Sequence, residues 1–214
     1  MSMIASVLHL DRRDIKALRI TDPYSLHRVV YSLYDDVRSA EEKGGSQPSG
    51  ILYADQGGDF HGRRILLLAD RMPAESVDGR YGKVQSRPVA DSFLEHDRYG
   101  FKVIVNPTRR DSASSKLVPV KGREAIGSWF CGRAPLSWGF RALPEHLQVT
   151  RVDVVRFKDK QQRLVTLAQA HVQGQLEVLD RALFRRSFAR GIGRARTFGC
   201  GLLQIVPLLD NPFA

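Results

Sequence analysis

Tyr24, His27 and Tyr31 stand three and four residues apart in the stretch DPYSLHRVVYSLY, a spacing that puts all three on one face of a helix. Histidine is the side chain suited to giving or taking a proton near neutral pH. A phenol one turn away can orient a reacting hydroxyl or donate a hydrogen bond to a reacting phosphate. By helical rotation the three lie on the flank of an apolar stripe formed by Leu26, Val29, Val30, Leu33 and Val37, where a side chain can reach a cleft while its rotamer stays packed. Spacing alone also fits a boundary histidine beside a packing aromatic. His9, His61, His96, His146 and His171 are weaker candidates. None has the H-E-x-x-H spacing of a metal site, and no carboxylate cluster accompanies them. No metal and no cofactor is expected.

A second arrangement, GIGRARTFGCGLLQIVPL, covers residues 191–208 and interleaves four glycines with Arg194 and Arg196. A dinucleotide fingerprint follows a strand and opens a helix; here a helical pattern precedes the glycines and a strand pattern follows. Arg196 also stands where that fingerprint needs its third glycine, and no G-x-x-x-x-G-K-[ST] occurs in the chain. Between 181 and 196 lie Arg181, Arg185, Arg186, Arg190, Arg194 and Arg196, with no acid after Asp180. Such a run repels itself unless phosphates neutralise it, and guanidinium forks fit phosphate better than lysine does. A solvated basic face is the alternative. The reading is a nucleic-acid backbone grip by Arg185, Arg186, Arg190, Gly191, Gly193, Arg194, Arg196, Gly199 and Gly201. Arg109, Arg110 and Lys116, in a charged loop after Asn106-Pro107, and Lys158 and Lys160, at a hairpin tip, are further candidates. Arg12, Arg13 and Lys16 read as ordinary surface charge.

Thirty-three Lys+Arg against 23 Asp+Glu give a formal net charge of +10 and a pI near 10.0, which suits a polyanionic partner. No basic amphipathic helix and no run of 18 apolar residues points to a membrane. Cys131 and Cys200 are the only cysteines, too few and too far apart for a disulfide framework or a zinc knuckle. The N-terminus has no leader pattern, so a cytoplasmic protein is expected.

The elements that must hold these residues follow from pattern. MIASVLHL (3–10) reads as a strand, and residues 21–43 as a long helix with Asp22 as its cap and Pro23 at its first position. ILYAD and RRILLLAD flank QGGDFHG as a hairpin. A weak helix near 72–77 and a strand near 82–86 complete the first half. YGFKVIVNP, a helix over 121–133, a hairpin of 147–158 with 163–180, a basic helix over 181–190 and a last strand LLQIVP make up the second. The order is β-α-β-β-α-β twice: an α+β chain of two ferredoxin-like (RRM-like) units, residues 1–95 with the histidine helix and 96–214 with the glycine-rich loop. Each is expected to bury one sheet face under two helices.

The glycine-rich C-terminal motif resembles the signature of the CasE family, the repeat-RNA endoribonucleases of type I-E CRISPR systems. DPYSLHRVVYSLY is similar to that family's first helix, FKVIVNPTRR to its mid-chain strand, LVPVKGREAIGSWFCGR to the segment that follows, and LAQAHVQGQLEVLD to the strand before the last helix. Nearly the whole chain is covered in order. The resemblance implies His27 and Tyr24 as catalytic residues. It implies metal-independent cleavage at the base of a repeat hairpin by 2′-hydroxyl attack, leaving a 2′,3′-cyclic phosphate (or 3′-phosphate) and a 5′-hydroxyl. The partners implied are the CRISPR repeat RNA hairpin, the mature crRNA and the other subunits of the Cascade surveillance complex, chiefly the backbone subunit next to the crRNA 3′ end. Target DNA would be met only through the complex. A hairpin-binding subunit that has lost cleavage is the alternative. Whether His27 is base or acid, and which cation stabilises the transition state, stay open: Lys102 is the only basic residue in FKVIVNP, and the first helix has no lysine before Lys43.

Overall fold

The computed structural model describes residues 3–35, 49–60 and 62–208. Strand β1 (Ile4–Leu10) leads through a short helix α1 (Arg12–Ala17) to α2 (Pro23–Ser32), then to the hairpin β2 (Ile51–Gly58) and β3 (Arg63–Ala69), and to β4 (Lys83–Pro88). The sheet order β2-β3-β1-β4, antiparallel throughout, is the ferredoxin-like order. The second half repeats it. β5 (Arg98–Val105) is followed by a small hairpin β6 (Thr108–Arg110) and β7 (Leu117–Pro119), helix α3 (Arg123–Trp138), strands β8 (Phe140–Ala142), β9 (Gln148–Lys158) and β10 (Leu164–Val178), helix α4 (Arg181–Arg190) and β11 (Gln204–Pro207). Its order is β11-β5-β10-β8, with β9 on the other half of the long β10, so β8 and β9 together fill one strand position.

The first sheet is covered on both faces, not one. Ile51, Tyr53, Ile65, Leu67 and Ala69 pack under Leu26, Val29 and Val30 of α2 and Leu33 at its end. The alternate residues Leu52, Ala54 and Leu68 join Phe101, Phe130, Phe184 and Leu203 in a core shared with the second half. Two-face burial explains why ILYA and ILLLA are continuous apolar runs rather than alternating ones.

Three further expectations change. Residues 72–77 are not helical: Pro73 and a turn with Asp78 and Gly79 at positive φ dominate, and the segment closes only a Val77–Tyr81 bridge. The histidine helix ends at Ser32, where Leu33 and Tyr34 turn away; Val37 and Lys43 lie outside the described residues, as does His61. The helix expected over 121–133 runs on through Pro135 to Trp138, because Phe130, Ala134 and Trp138 bury one face in the shared core. It stops at Gly139 in the left-handed region (φ 79°), whose carbonyl accepts from the amides of Leu179 and Asp180. A Cβ at Gly139 would stand 2.5 Å from the Phe184 amide nitrogen. Gly139→Ala should therefore lower unfolding stability by about 2–4 kcal/mol, measured by urea denaturation.

Candidate active site

Helix α2 begins where its sequence demands. The Asp22 carboxylate accepts from the Ser25 amide at 2.7 Å, the Ser25 hydroxyl takes the Asp22 amide in return at 3.0 Å, and Pro23 fills the first position. This start fixes the rotation of the helix and so the direction of His27. The His27 ring sits 4.1 Å from that of Tyr31, 6.2 Å from Tyr24 and 5.9 Å from Phe198. Phe198 belongs to the glycine-rich loop, so the two motifs that stand 171 positions apart in the chain (27 and 198) meet.

His27 and Tyr31 line a cavity of about 630 Å³ with Ser25, Ser32, Arg19, Arg28 and Asp78. Tyr24 does not line it; its ring packs with Ile104, Phe157, Leu167 and Cys200 of the second half. Arg19 and Arg28, both exposed, are cations on this cavity that the sequence reading did not single out. Arg19 carries a signal only geometry reveals. It ends α1 in a Schellman turn, with the Ile20 amide on the Ile15 carbonyl at 3.0 Å and its own amide on the Lys16 carbonyl at 3.2 Å. Its φ of 51° is one that glycine normally takes. Asp78, at φ 53°, lies across the same cavity.

The glycine-rich loop is docked, not free. The Tyr53 hydroxyl donates to the Thr197 carbonyl at 3.0 Å, and a Cβ at Gly199 would approach the Tyr53 ring to 3.1 Å. A Cβ at Gly191 would stand 2.7 Å from Leu52, and one at Gly201 2.4 Å from the Ile192 carbonyl oxygen; of the four loop glycines Gly193 alone has open space. Arg196 donates to the Arg190 carbonyl at 2.8 Å. Arg185 is held by Glu95 and Arg181 by Asp97, so part of the arginine run is neutralised within the protein. Arg186, Arg190 and Arg194 are exposed. Arg109, Arg110 and Arg194 come together at a second cavity, whereas Lys116 stands exposed just before β7 and Lys158 and Lys160 stand at the β9–β10 tip, apart from both cavities. Among the described residues, no three His, Cys, Asp or Glu side chains are grouped to hold a metal ion, and no helix is long and apolar enough to cross a membrane.

A family model described as CRISPR associated protein matches residues 3–207. The chain belongs to that family. A relative from Thermus thermophilus, the CRISPR-associated endoribonuclease Cse3, is 28% identical over 207 residues, covering 92% of this chain and 93% of its own. The solved structure of Thermus thermophilus Cse3 bound to an RNA representing a pre-cleavage complex superposes with a TM-score of 0.78 at 23% identity, over 97% of this chain and 100% of that one. A chain of a CRISPR RNA-guided surveillance complex in its pre-nicking state superposes with a TM-score of 0.66 at 23% identity, again over 97% and 100%. The tandem ferredoxin-like architecture of this CRISPR associated protein is thus the one its sequence predicts.

Beside the aromatic junction, a cleft of about 610 Å³ between the two sheets is lined by Asp55, Arg63, Lys102, Arg151, Asp153 and His171. Burial holds the His171 imidazole below its usual pKa, and the Arg151 guanidinium pushes the same way. The Asp153 carboxylate, 4.0 Å from its Nε2, only partly offsets them. A histidine lowered in the folded state contributes stability that is full above its unfolded pKa of about 6.5 and declines as the pH falls through it. His171→Gln should flatten the fall in melting temperature between about pH 7 and 5, read by calorimetry at matched ionic strength.

Proposed function

We infer that this chain is an endoribonuclease that cuts CRISPR precursor RNA at the base of the repeat hairpin without a metal ion. The observation that carries this reading is the setting of His27, wedged between Tyr31 and the loop residue Phe198 on a cavity rimmed by Arg19 and Arg28. The family membership and the resemblance to an endoribonuclease along nearly the whole chain support it.

Cleavage needs three things from the protein. One group takes the proton from the 2′-hydroxyl as its oxygen attacks the adjacent phosphorus, and another returns a proton to the departing 5′-oxygen. Positive charge must meet the dianionic phosphorane between these steps. His27 carries one of the two proton transfers, and Tyr24, its ring 6.2 Å from that of His27 though not on the cavity wall, orients the 2′-hydroxyl or donates a hydrogen bond to the scissile phosphate. Arg19 and Arg28 supply the charge, the role for which α2 has no lysine. The products are a 2′,3′-cyclic phosphate, or the 3′-phosphate from its opening, and a 5′-hydroxyl.

The two halves divide the work: 1–95 carries the catalytic helix, and 96–214 the basic helix and the docked loop. Arg186, Arg190, Arg194 and the β6–β7 and β9–β10 tips meet the stem through its phosphates, as expected for an A-form helix whose deep groove side chains cannot read. The processed RNA then stays bound, and the protein joins the surveillance complex with it. Turnover is accordingly slow, limited by product release.

End-labelled repeat RNA incubated with excess protein in EDTA should be cut once by the wild type and about 100- to 10,000-fold more slowly by His27→Ala. Tight binding with no cut would leave only the hairpin-binding subunit. Arg19→Gly separates chemistry from folding. It should raise stability by about 1 kcal/mol by relieving the left-handed backbone, yet slow cleavage at least tenfold, with Arg19→Lys retaining more activity than Arg19→Gly.

A further inference from the structure

Four arginines from three separate elements converge away from His27. Arg109 and Arg110 of β6, Arg133 of α3 and Arg194 of the glycine-rich loop line one cavity of about 650 Å³, beside Leu117 and Leu136. No acidic side chain among the described residues lines it. None of the four arginines forms an ion pair among the described residues, although Arg63, Arg141, Arg181 and Arg185 do. Asp111, whose carboxyl is lowered chiefly by the Ser114 hydroxyl and only slightly by Arg109, is tied into the hairpin turn by the Ser114 amide and hydroxyl. Arg110 donates one bond, to the Ser115 carbonyl at 2.9 Å, which aims the hairpin's own charge without neutralising it.

The cradle is built rather than accidental. Trp129 Nε1 donates to the Thr108 carbonyl at 3.1 Å, pinning α3 to β6, and the buried Asn106 amide donates to the Ala168 carbonyl at 2.7 Å, pinning the β5–β6 turn to β10. Leu136 is 84% exposed and Leu117 43%, so apolar surface lies beside the charge. Gathering unpaired guanidinium groups at a fixed place is unfavourable unless an anion supplies the missing charge. Exposed aliphatic surface beside the charge can pack against the sugar and base attached to that anion.

We propose that this cavity is a phosphodiester subsite of the RNA grip, in which Arg133 and Arg194 clamp one backbone phosphate and Leu117 and Leu136 receive the adjoining nucleotide. The proposal rests on the RNA-processing reading above and adds Arg133, which lies in no basic run of the sequence, to the binding surface. Because Phe198 and Arg194 belong to the same docked loop, a phosphate held here is held at a fixed offset from His27. The subsite thereby sets the register of the cut as well as affinity.

The test is equilibrium binding of the labelled repeat hairpin to His27→Ala protein across a salt series, which prevents cleavage during the measurement. Arg133→Ala should weaken binding about tenfold near 0.15 M salt and reduce the slope of log K against log salt by about one. Arg123→Ala removes the same charge from the far end of the same helix, outside the cavity, and should change affinity less than about twofold. Gly132 faces the cavity with open space around it. Gly132→Glu should weaken binding at least tenfold, and Gly132→Lys should hold or strengthen it. The proposal is overturned if Arg133→Ala and Arg123→Ala behave alike, or if the Glu and Lys variants shift affinity in the same direction. Failure of the parent protein to bind the hairpin at all would instead remove the RNA-processing reading.

Discussion

The seating of the glycine-rich loop on β2 is the contact on which the rest of the molecule depends. Tyr53 is buried between the two halves, its hydroxyl spent on the Thr197 carbonyl and its ring closed over by Gly199. Burial accordingly raises its pKa well above the usual phenol value. Gly199 and Gly201 accept left-handed backbone at φ 80° and 85° in places where a Cβ would meet a ring or a carbonyl. These glycines serve close approach within the protein.

That seating determines what α2 can do. Phe198 reaches His27 on one side and Phe157 on the other, so the candidate catalytic ring is braced by the second half of the chain. Cys200, next but one, is sealed in the same junction, and burial pushes its thiol up to about 12. It is a core side chain and not a nucleophile. The sheet beneath completes the brace, because β2 and β3 offer one face to α2 and the other to the shared core. The two ferredoxin-like units are therefore packed as one body around the site.

Charge is divided along the same lines. Arginines that organise the protein are paired: Arg181 and Arg185 tie α4 to Asp97 and Glu95, and Arg63 ties β3 to Asp55 through Nε contacts of 3.0 and 3.1 Å. The arginines on the two cavities that flank the docked loop have no carboxylate partner among the described residues. A net charge of +10 spread evenly would give a weak general attraction for polyanions. Here the arginines without a carboxylate partner among the described residues are gathered instead on two separate cavities.

Local features of this fold were legible in the sequence because local chemistry decides them. The Asp22-Pro23 start of α2, the QGGDFHG hairpin and the helix–loop–strand order around the glycines each follow from dihedral preference and capping within a few residues. So does the alternation of elements that makes two ferredoxin-like units. Where a local signal met a stronger tertiary one, it lost: α3 runs through Pro135 because burying Trp138 in the shared core outweighs one missing hydrogen bond. Over 72–77 only Pro73 and Val77 are buried, too little to hold a helix against Pro73 and the Asp78-Gly79 turn, so the residues stay irregular. The approach of Phe198 to His27, the strained Arg19 across from Asp78, and the gathering of Arg133 with Arg109 and Arg194 left no trace in spacing. Each joins residues distant in the chain or depends on how one element is turned against another, and only packing of the two sheets decides that.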